Sequence, residues 1–208
     1  MKVIMLNGSP NEKGCTYTGL SIIAEELAKY DVESELIWLG RDPIQSCTAC
    51  FACKRGEKAG RCVFDNDMVN TVAEKIKAAD GLVLGTPVHY ASASGTITAF
   101  CDRLFFSTPA DYKRMRFGAA IASCRRSGIT STFDQLNKYF TISQMPIVSS
   151  CYWSGIHGGN AKQVMEDKEG IRIMKTIGGN MAYLIKSVKT AGLELPEEPE
   201  FVMTNFIR

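Results

Sequence analysis

A short apolar run near the N-terminus, Val3-Ile4-Met5-Leu6, empties into the turn-rich segment Asn7-Gly8-Ser9-Pro10-Asn11-Glu12-Lys13-Gly14-Cys15-Thr16-Tyr17-Thr18-Gly19. Apolar residues at helical spacing follow at once: Leu20, Ile23, Ala24 and Leu27. Strand, glycine-bearing loop and helix in immediate succession are the first half of a βαβ unit, and no other stretch narrows the possible folds as far. The free N–H groups of the helix's first turn point back into the loop, and with the positive end of the helix dipole they favour a bound phosphate. Hydroxyls on Ser9, Thr16, Tyr17 and Thr18 supply further hydrogen bonds, and Gly8 and Gly14 let the backbone approach a ligand closely. Two commoner phosphate motifs are excluded. A P-loop needs four residues between its glycines and Lys-Ser/Thr after the second, whereas five residues separate Gly8 from Gly14 and Cys15 follows. A dinucleotide fingerprint needs a second glycine where Pro10 stands. What remains is a loop suited to a phosphate monoester, or else an ordinary strand-to-helix turn.

The same alternation continues. Val32 to Leu39 reads as a second strand, stopped by Gly40 and Asp42-Pro43. Residues 44–66 break the rhythm, being rich in Cys, Gly and charge without a sustained period, and read as an inserted loop. A helix is expected from about Asp67, with Met68, Val72, Ile76 and Ala79 on one side, then a buried strand Gly81–Gly85 with Thr86–Ser92 as the loop at its carboxyl end. Ile97, Phe100, Cys101 and Leu104 suggest a third helix, and Phe117–Ala122 a strand of small residues followed by the loop Ser123–Gly128. Phe133, Leu136 and Phe140 mark the next helix, Met145–Ser149 a fifth strand, and Cys151–Gly159 an aromatic, glycine-rich loop. The last helix is expected over Glu169–Ala191, where Gly178-Gly179 costs about 1 kcal/mol per glycine unless close packing offsets it. The tail, about 192–208, reads as extended and able to embrace a neighbouring subunit. Five strands alternating with five helices imply a doubly wound parallel sheet with helices on both faces, and ligands on such sheets bind at the carboxyl ends of the strands.

Length and composition bound what this fold does. The 208 residues suffice for one α/β domain over 1–208, and no low-complexity linker divides them. With 24 Lys and Arg against 22 Asp and Glu, and no basic stripe interleaved with aromatics, nucleic acid is excluded as a partner. Apolar runs fall well short of the ~18 residues of a membrane span, and the N-terminus lacks the layout of a signal peptide, so the expected location is the cytoplasm. Eight cysteines in such a chain read as metal ligands, reactive thiols or small core residues rather than disulfides.

With these loops in view, the chain resembles the flavodoxin-like NAD(P)H-dependent FMN reductases over most of its length. Gly8-Ser9-Pro10 to Gly14-Cys15-Thr16 is similar to that family's FMN phosphate loop, with Asn11 where Arg is usual and Cys15 where Asn is usual. Thr86-Pro87-Val88-His89-Tyr90 is similar to its second FMN loop, His89 replacing the usual aromatic. The resemblance implies FMN held by Ser9, Asn11, Gly14, Cys15, Thr16, Tyr17 and Thr18 at the phosphate, by Pro87, Val88, His89, Tyr90 and Ala91 along the ring, and by Ser123, Cys124, Arg125 and Gly128 at its edge. Within these sets Tyr90 is the favoured ring contact, His89 is either a ring contact or a solvated loop residue, and Arg125 and Arg126 either attract NAD(P)H phosphates or sit in solvent. Trp153 and His157 lie in a segment shared by larger family members, where Trp153 is expected to anchor the core.

Cys47-x-x-Cys50-x-x-Cys53 with Cys62 resembles the compact motif of iron–sulfur flavoproteins, in which four thiolates hold a [4Fe-4S] cluster beside FMN. The gap from Cys53 to Cys62 is slightly long for that motif, and a cluster, a structural zinc knuckle and a metal-free covering loop all stay open. The function implied is an FMN-dependent oxidoreductase that takes hydride from NAD(P)H and passes electrons to a small quinone- or flavin-type acceptor. The cofactor does this chemistry, and no catalytic acid or base is required. The alternative is an iron–sulfur flavoprotein or flavodoxin-type carrier between protein partners. Family resemblance further implies a homodimer or homotetramer.

Overall fold

The computed structural model of the protein describes residues 1–200 and 202–204. Strand β1 (Lys2–Asn7) is buried on both faces, Val3 and Met5 pointing into one apolar cluster and Ile4 and Leu6 into another. A strand with no wet face must be covered on both sides. Helices α1 (Cys15–Ala28) and α6 (Lys168–Ala191) cover one face; α2 (Val69–Lys77), α3 (Gly95–Ser107) and α4 (Ile129–Ile142) cover the other. The remaining short helix, α5 (Ala161–Val164), leads into α6.

Strands β2 (Glu33–Trp38), β1, β3 (Gly81–His89), β5 (Phe117–Cys124) and β6 (Gly155–His157) lie in that order, every neighbour parallel. The chain leaves β1 to one side for β2 and returns to its other side for β3. The switch point of this doubly wound sheet is therefore at the carboxyl end of β1, where ligands bind in such folds.

Four expectations need correction. Residues 86–89 continue β3, because its ladder with β5 runs on to Pro87–Ser123 and Val88 and His89 pair with Ala93 and Ser92 of the two-residue strand β4 (Ser92–Ala93). Ser123 and Cys124 likewise belong to β5. The expected fifth strand, Met145–Ser149, makes a single bridge, Ile147 to Gly118, and the edge resumes only at β6. Between the pairs Gly118–Ile147 and Ala122–Gly155 the edge advances twice as far as β5 does, so surplus residues bulge outward. Pro146, which has no N–H to give, suits an edge. The bulge carries Trp153, which is more than half exposed and tilted against Tyr152 at 4.9 Å rather than anchored in the core.

Gly178 justifies its place in α6: a Cβ there would stand 2.8 Å from Glu26 Cβ and 3.0 Å from the Ile23 carbonyl on α1. Gly179 has no such neighbour, so close packing explains only one of the pair. The tail lies on its own chain, Arg114 donating to the Pro196 carbonyl and pairing with Glu198 at 3.1 Å. Tail residues 201 and 205–208 lie outside the described residues. No helix among the described residues is long and apolar enough to cross a membrane.

Candidate functional site

The first loop is held rigid from several sides. Asn7 Oδ1 accepts from Ser9 N at 3.1 Å and Asn7 Nδ2 donates to the Glu12 carbonyl, an Asx turn that starts the loop at the end of β1. Trp38 Nε1 donates to the Ser9 carbonyl and Arg41 Nε to the Pro10 carbonyl, both at 2.8 Å. Gly8 lets the loop lie on α3, since a Cβ there would stand 2.6 Å from Ile97 Cβ. Helix α1 then begins after Gly14 with no side-chain cap and no acidic residue in its first turn. Its leading N–H groups are thus free of competing carboxylates, the arrangement that suits an anion.

The hydroxyls are less available than their spacing suggests. Thr16 is buried, and its Oγ1 pairs with Ser123 Oγ at 2.8 Å, tying α1 to β5. Thr18 Oγ1 donates back to the Gly14 carbonyl. Ser9 Oγ accepts from Asn11 N, which leaves its own O–H to donate. Tyr17 is half-buried, and Asn11 is exposed at the loop's outer edge. Cys15 is half-buried, its thiol pKa pushed up by burial, and its Sγ donates to the Gly158 carbonyl at 3.4 Å.

The three loops do converge. Gly8 N donates to the Gly85 carbonyl, and Ser94, the N-cap of α3, donates its hydroxyl to the Gly8 carbonyl at 2.8 Å and its N–H to Thr86 Oγ1. Gly128, at φ +93°, packs so tightly that a Cβ would lie 2.7 Å from Val88 Cγ1 and 3.0 Å from Ala91 Cα. Ser131 Oγ also donates to the Ala91 carbonyl. Between β3 and β4, Tyr90 and Ala91 both take positive φ, 52° and 58°, as a two-residue hairpin of this twist demands. Neither is the Gly or Asn that does so freely, and such residues cost on the order of 1–3 kcal/mol each. The turn lifts Tyr90 wholly into solvent over the strand ends. Pro87 and Val88 are half-buried below it, and His89 and Ala91 are exposed. Ser123 and Cys124 are buried in β5, where desolvation raises the Cys124 thiol, whereas Arg125 and Arg126 are exposed. Arg126 lines a cavity of about 270 Å³ with Gly128, Tyr152, Trp153 and His157.

The insertion forms a second locus. Residues 44–66 hold only two short 3-10 turns, Ala52–Lys54 and Gly56–Lys58, yet Cys47, Cys50, Cys53 and Cys62 all line one cavity of about 20 Å³ against α3. Cys53 is buried, Cys62 half-buried, and Cys47 and Cys50 exposed. Among the described residues no three His, Cys, Asp or Glu side chains are gathered tightly enough for one metal ion. A four-iron cluster is the less demanding occupant, because each thiolate binds a different iron and the sulfurs stand farther apart than around a single zinc.

What organises this locus is a residue that spacing did not single out. Arg103, on α3, is 1% exposed. Its Nε donates to Cys62 Sγ at 3.2 Å, its Nη1 and Nη2 to the Gln45 and Phe64 carbonyls, and both nitrogens to the Asp67 carboxylate. Asn70 clamps Cys62 from the other side, accepting from its N–H and donating to its carbonyl, each at 3.0 Å. In sequence, Arg103 looks misplaced on an apolar helical stripe, and that is the signal that could have found it. Trp38, Ser94 and Asn70 carried no comparable signal. Helix α3 joins the two loci: its N-cap, Ser94, holds the first loop, and Arg103 lies nine residues on, about 13.5 Å farther along its axis.

A sequence model of the family described as NADPH-dependent FMN reductase matches residues 1–159. An iron-sulfur flavoprotein of Methanocaldococcus jannaschii is 28% identical over 196 residues, covering 91% of this chain and 100% of that one. Another, from Archaeoglobus fulgidus, is 28% identical over 202 residues, covering 91% and 98%. Among solved structures, RosB with a bound flavin-derived intermediate superposes with a TM-score of 0.71 at 13% identity, covering 100% of this chain and 92% of its own. An archaeal flavodoxin superposes at 0.60 with 15% identity, covering 89% and 99%, which shows a shared flavodoxin-like fold.

Proposed function

Because the chain belongs to the NADPH-dependent FMN reductase family, we propose that it acts as a single FMN-binding domain which takes electrons from NAD(P)H and passes them to a small quinone- or flavin-type acceptor in the cytoplasm. The observation that carries this reading is the convergence of the three loops at the switch point, with an uncapped, carboxylate-free helix start facing them. FMN, when bound, supplies the hydride-accepting and electron-passing chemistry. The N–H groups around Cys15, Thr16 and Tyr17, with the Ser9 hydroxyl, hold its phosphate. Pro87, Val88 and the strained Tyr90-Ala91 turn support the ring along one edge, with His89 beside them, and Ser123 to Gly128 close the other. Backbone N–H groups in those two loops stabilise the negative charge that reduction places on the ring. Arg125 and Arg126 attract the phosphates of NAD(P)H, and the open crest above the turn leaves one ring face accessible.

The four cysteines favour a second redox group in the same protein. Four soft donors around one cavity, one of them hydrogen-bonded to a buried guanidinium, suit a [4Fe-4S] cluster better than zinc. Such a group would be held by Cys47, Cys50, Cys53 and Cys62 and would supply one-electron exchange, the property expected of an iron–sulfur flavoprotein that serves protein partners. The chain assembles as a homodimer or homotetramer on this reading, which light scattering checks.

The deciding experiment is anaerobic purification followed by flavin, iron and acid-labile sulfide analysis and titration with NADH or NADPH. Bound FMN whose visible absorbance bleaches on adding either nucleotide is expected. FMN that bleaches with dithionite but with neither nucleotide would replace the reductase by the carrier. Iron without sulfide, or zinc, would remove the cluster.

A further inference from the structure

Ser107 closes the last turn of α3, and its hydroxyl is a buried polar atom with no hydrogen-bond partner among the described residues. A hydroxyl left unpaired away from water is costly, so native proteins seldom leave one without a use. Ser107 lines the four-cysteine cavity, and so does Arg103 one turn earlier on the same helix. Residues four apart on a helix share a face, so two donors are presented to that cavity side by side. One already reaches sulfur, Arg103 Nε donating to Cys62 Sγ; the other finds no acceptor among the described residues. Helix α3 itself is fixed by Asp67 and the carbonyls of Gln45 and Phe64, which receive the rest of the guanidinium, so these donors are set in place before any group binds.

We propose that Ser107 and Arg103 are positioning residues that donate hydrogen bonds to sulfur atoms of the iron–sulfur group held by Cys47, Cys50, Cys53 and Cys62, and that they thereby raise its reduction potential. The inference rests on the cluster assignment made above. Hydrogen bonds to cluster sulfurs and nearby positive charge both stabilise the more negative, reduced form, and they are among the levers by which a protein sets such a potential. Arg103 acts on the Cys62 thiolate, and Ser107 on a sulfur facing the last turn of α3.

The test compares wild type with Ser107→Ala and Arg103→Lys after anaerobic reconstitution with ferrous iron and sulfide. It reads iron and sulfide content, the thermal midpoint of the metal-free protein, and the cluster's midpoint potential by titration followed with electron paramagnetic resonance. Ser107→Ala is expected to leave the metal-free protein as stable as wild type or more so, to take up the same iron and sulfide, and to show a lower potential. A hydroxyl with a merely structural role would not move that potential. Arg103→Lys keeps the charge and the Asp67 pairing but loses the donor fork, and it too is expected to lower the potential. A wild-type potential in a fully loaded Ser107→Ala protein overturns the inference and leaves the cluster assignment standing. Wild-type protein that takes up no sulfide overturns both.

Discussion

At the scale of single residues, two side chains give predictions with a definite sign. Lys113 is buried, with its ammonium donating to the Phe105 and Thr108 carbonyls at 2.6 and 2.8 Å. Burial pushes its pKa down to about 8, with Lys54 adding to the effect and Asp111 opposing it. Between about pH 8 and the ordinary lysine value near 10.4, the unfolded chain therefore holds a proton that the folded one has lost, and stability rises with pH across that window. Below about pH 8 both states are protonated and the burial penalty is fully present. Lys113→Met is expected to be less stable overall, because two carbonyls lose their donor, and to flatten that rise. Denaturant midpoints measured on both sides of the window check it, an unchanged slope assigning the rise elsewhere. Asn11, exposed beside the free N–H groups of α1, supplies the second. Asn11→Asp preserves shape, and a carboxylate near a helix N-terminus is mildly stabilising, so folding should be unchanged or improved by a few tenths of a kcal/mol. The same charge repels a phosphate, and FMN affinity should fall several-fold in a fluorescence titration. Equal affinity for wild type and variant would remove the phosphate from this loop.

At the scale of elements, the β3–β4 hairpin trades stability for placement. Tyr90→Gly relieves a left-handed strain and should raise the unfolding free energy by about 1 kcal/mol, while removing the ring that stands over the strand ends and weakening FMN binding. A variant that gains stability and keeps full flavin affinity would make Tyr90 irrelevant to the cofactor. The hairpin also shows why its residues read as a loop in sequence. Thr86-Pro87-Val88-His89 carries a proline, which cannot donate to a ladder, and only pairing of Pro87 with Ser123 and of Val88 with Ala93 makes it a strand. The split edge strand has the same explanation. Met145–Ser149 has the composition of a strand, but one bridge to Gly118 is all that the neighbouring ladder accepts before the chain bulges out.

For the whole molecule, ligand linkage offers the most direct check on the site. If FMN binds only the folded chain, a concentration one hundred times its dissociation constant should add about 2.7 kcal/mol to stability, with a rising melting temperature. Riboflavin, which lacks the phosphate, should add much less at the same concentration, and equal stabilisation by both would place no phosphate on α1. Local pattern in the chain is enough to specify the strand–loop–helix start, the alternation that makes a doubly wound parallel sheet, and the clustering of four cysteines outside that alternation. These are legible because hydrophobic period, turn chemistry and residue spacing are local properties of the chain. The tertiary structure alone decided that Thr16 faces Ser123 instead of the loop, that Trp153 stands on a bulge, and that Arg103 and Ser107 meet the four cysteines in one cavity. Each depends on which distant segment occupies the other side of a contact: a charge on an apolar stripe, like that of Arg103, can mark a residue as unusual, but local pattern does not name the segment that it meets.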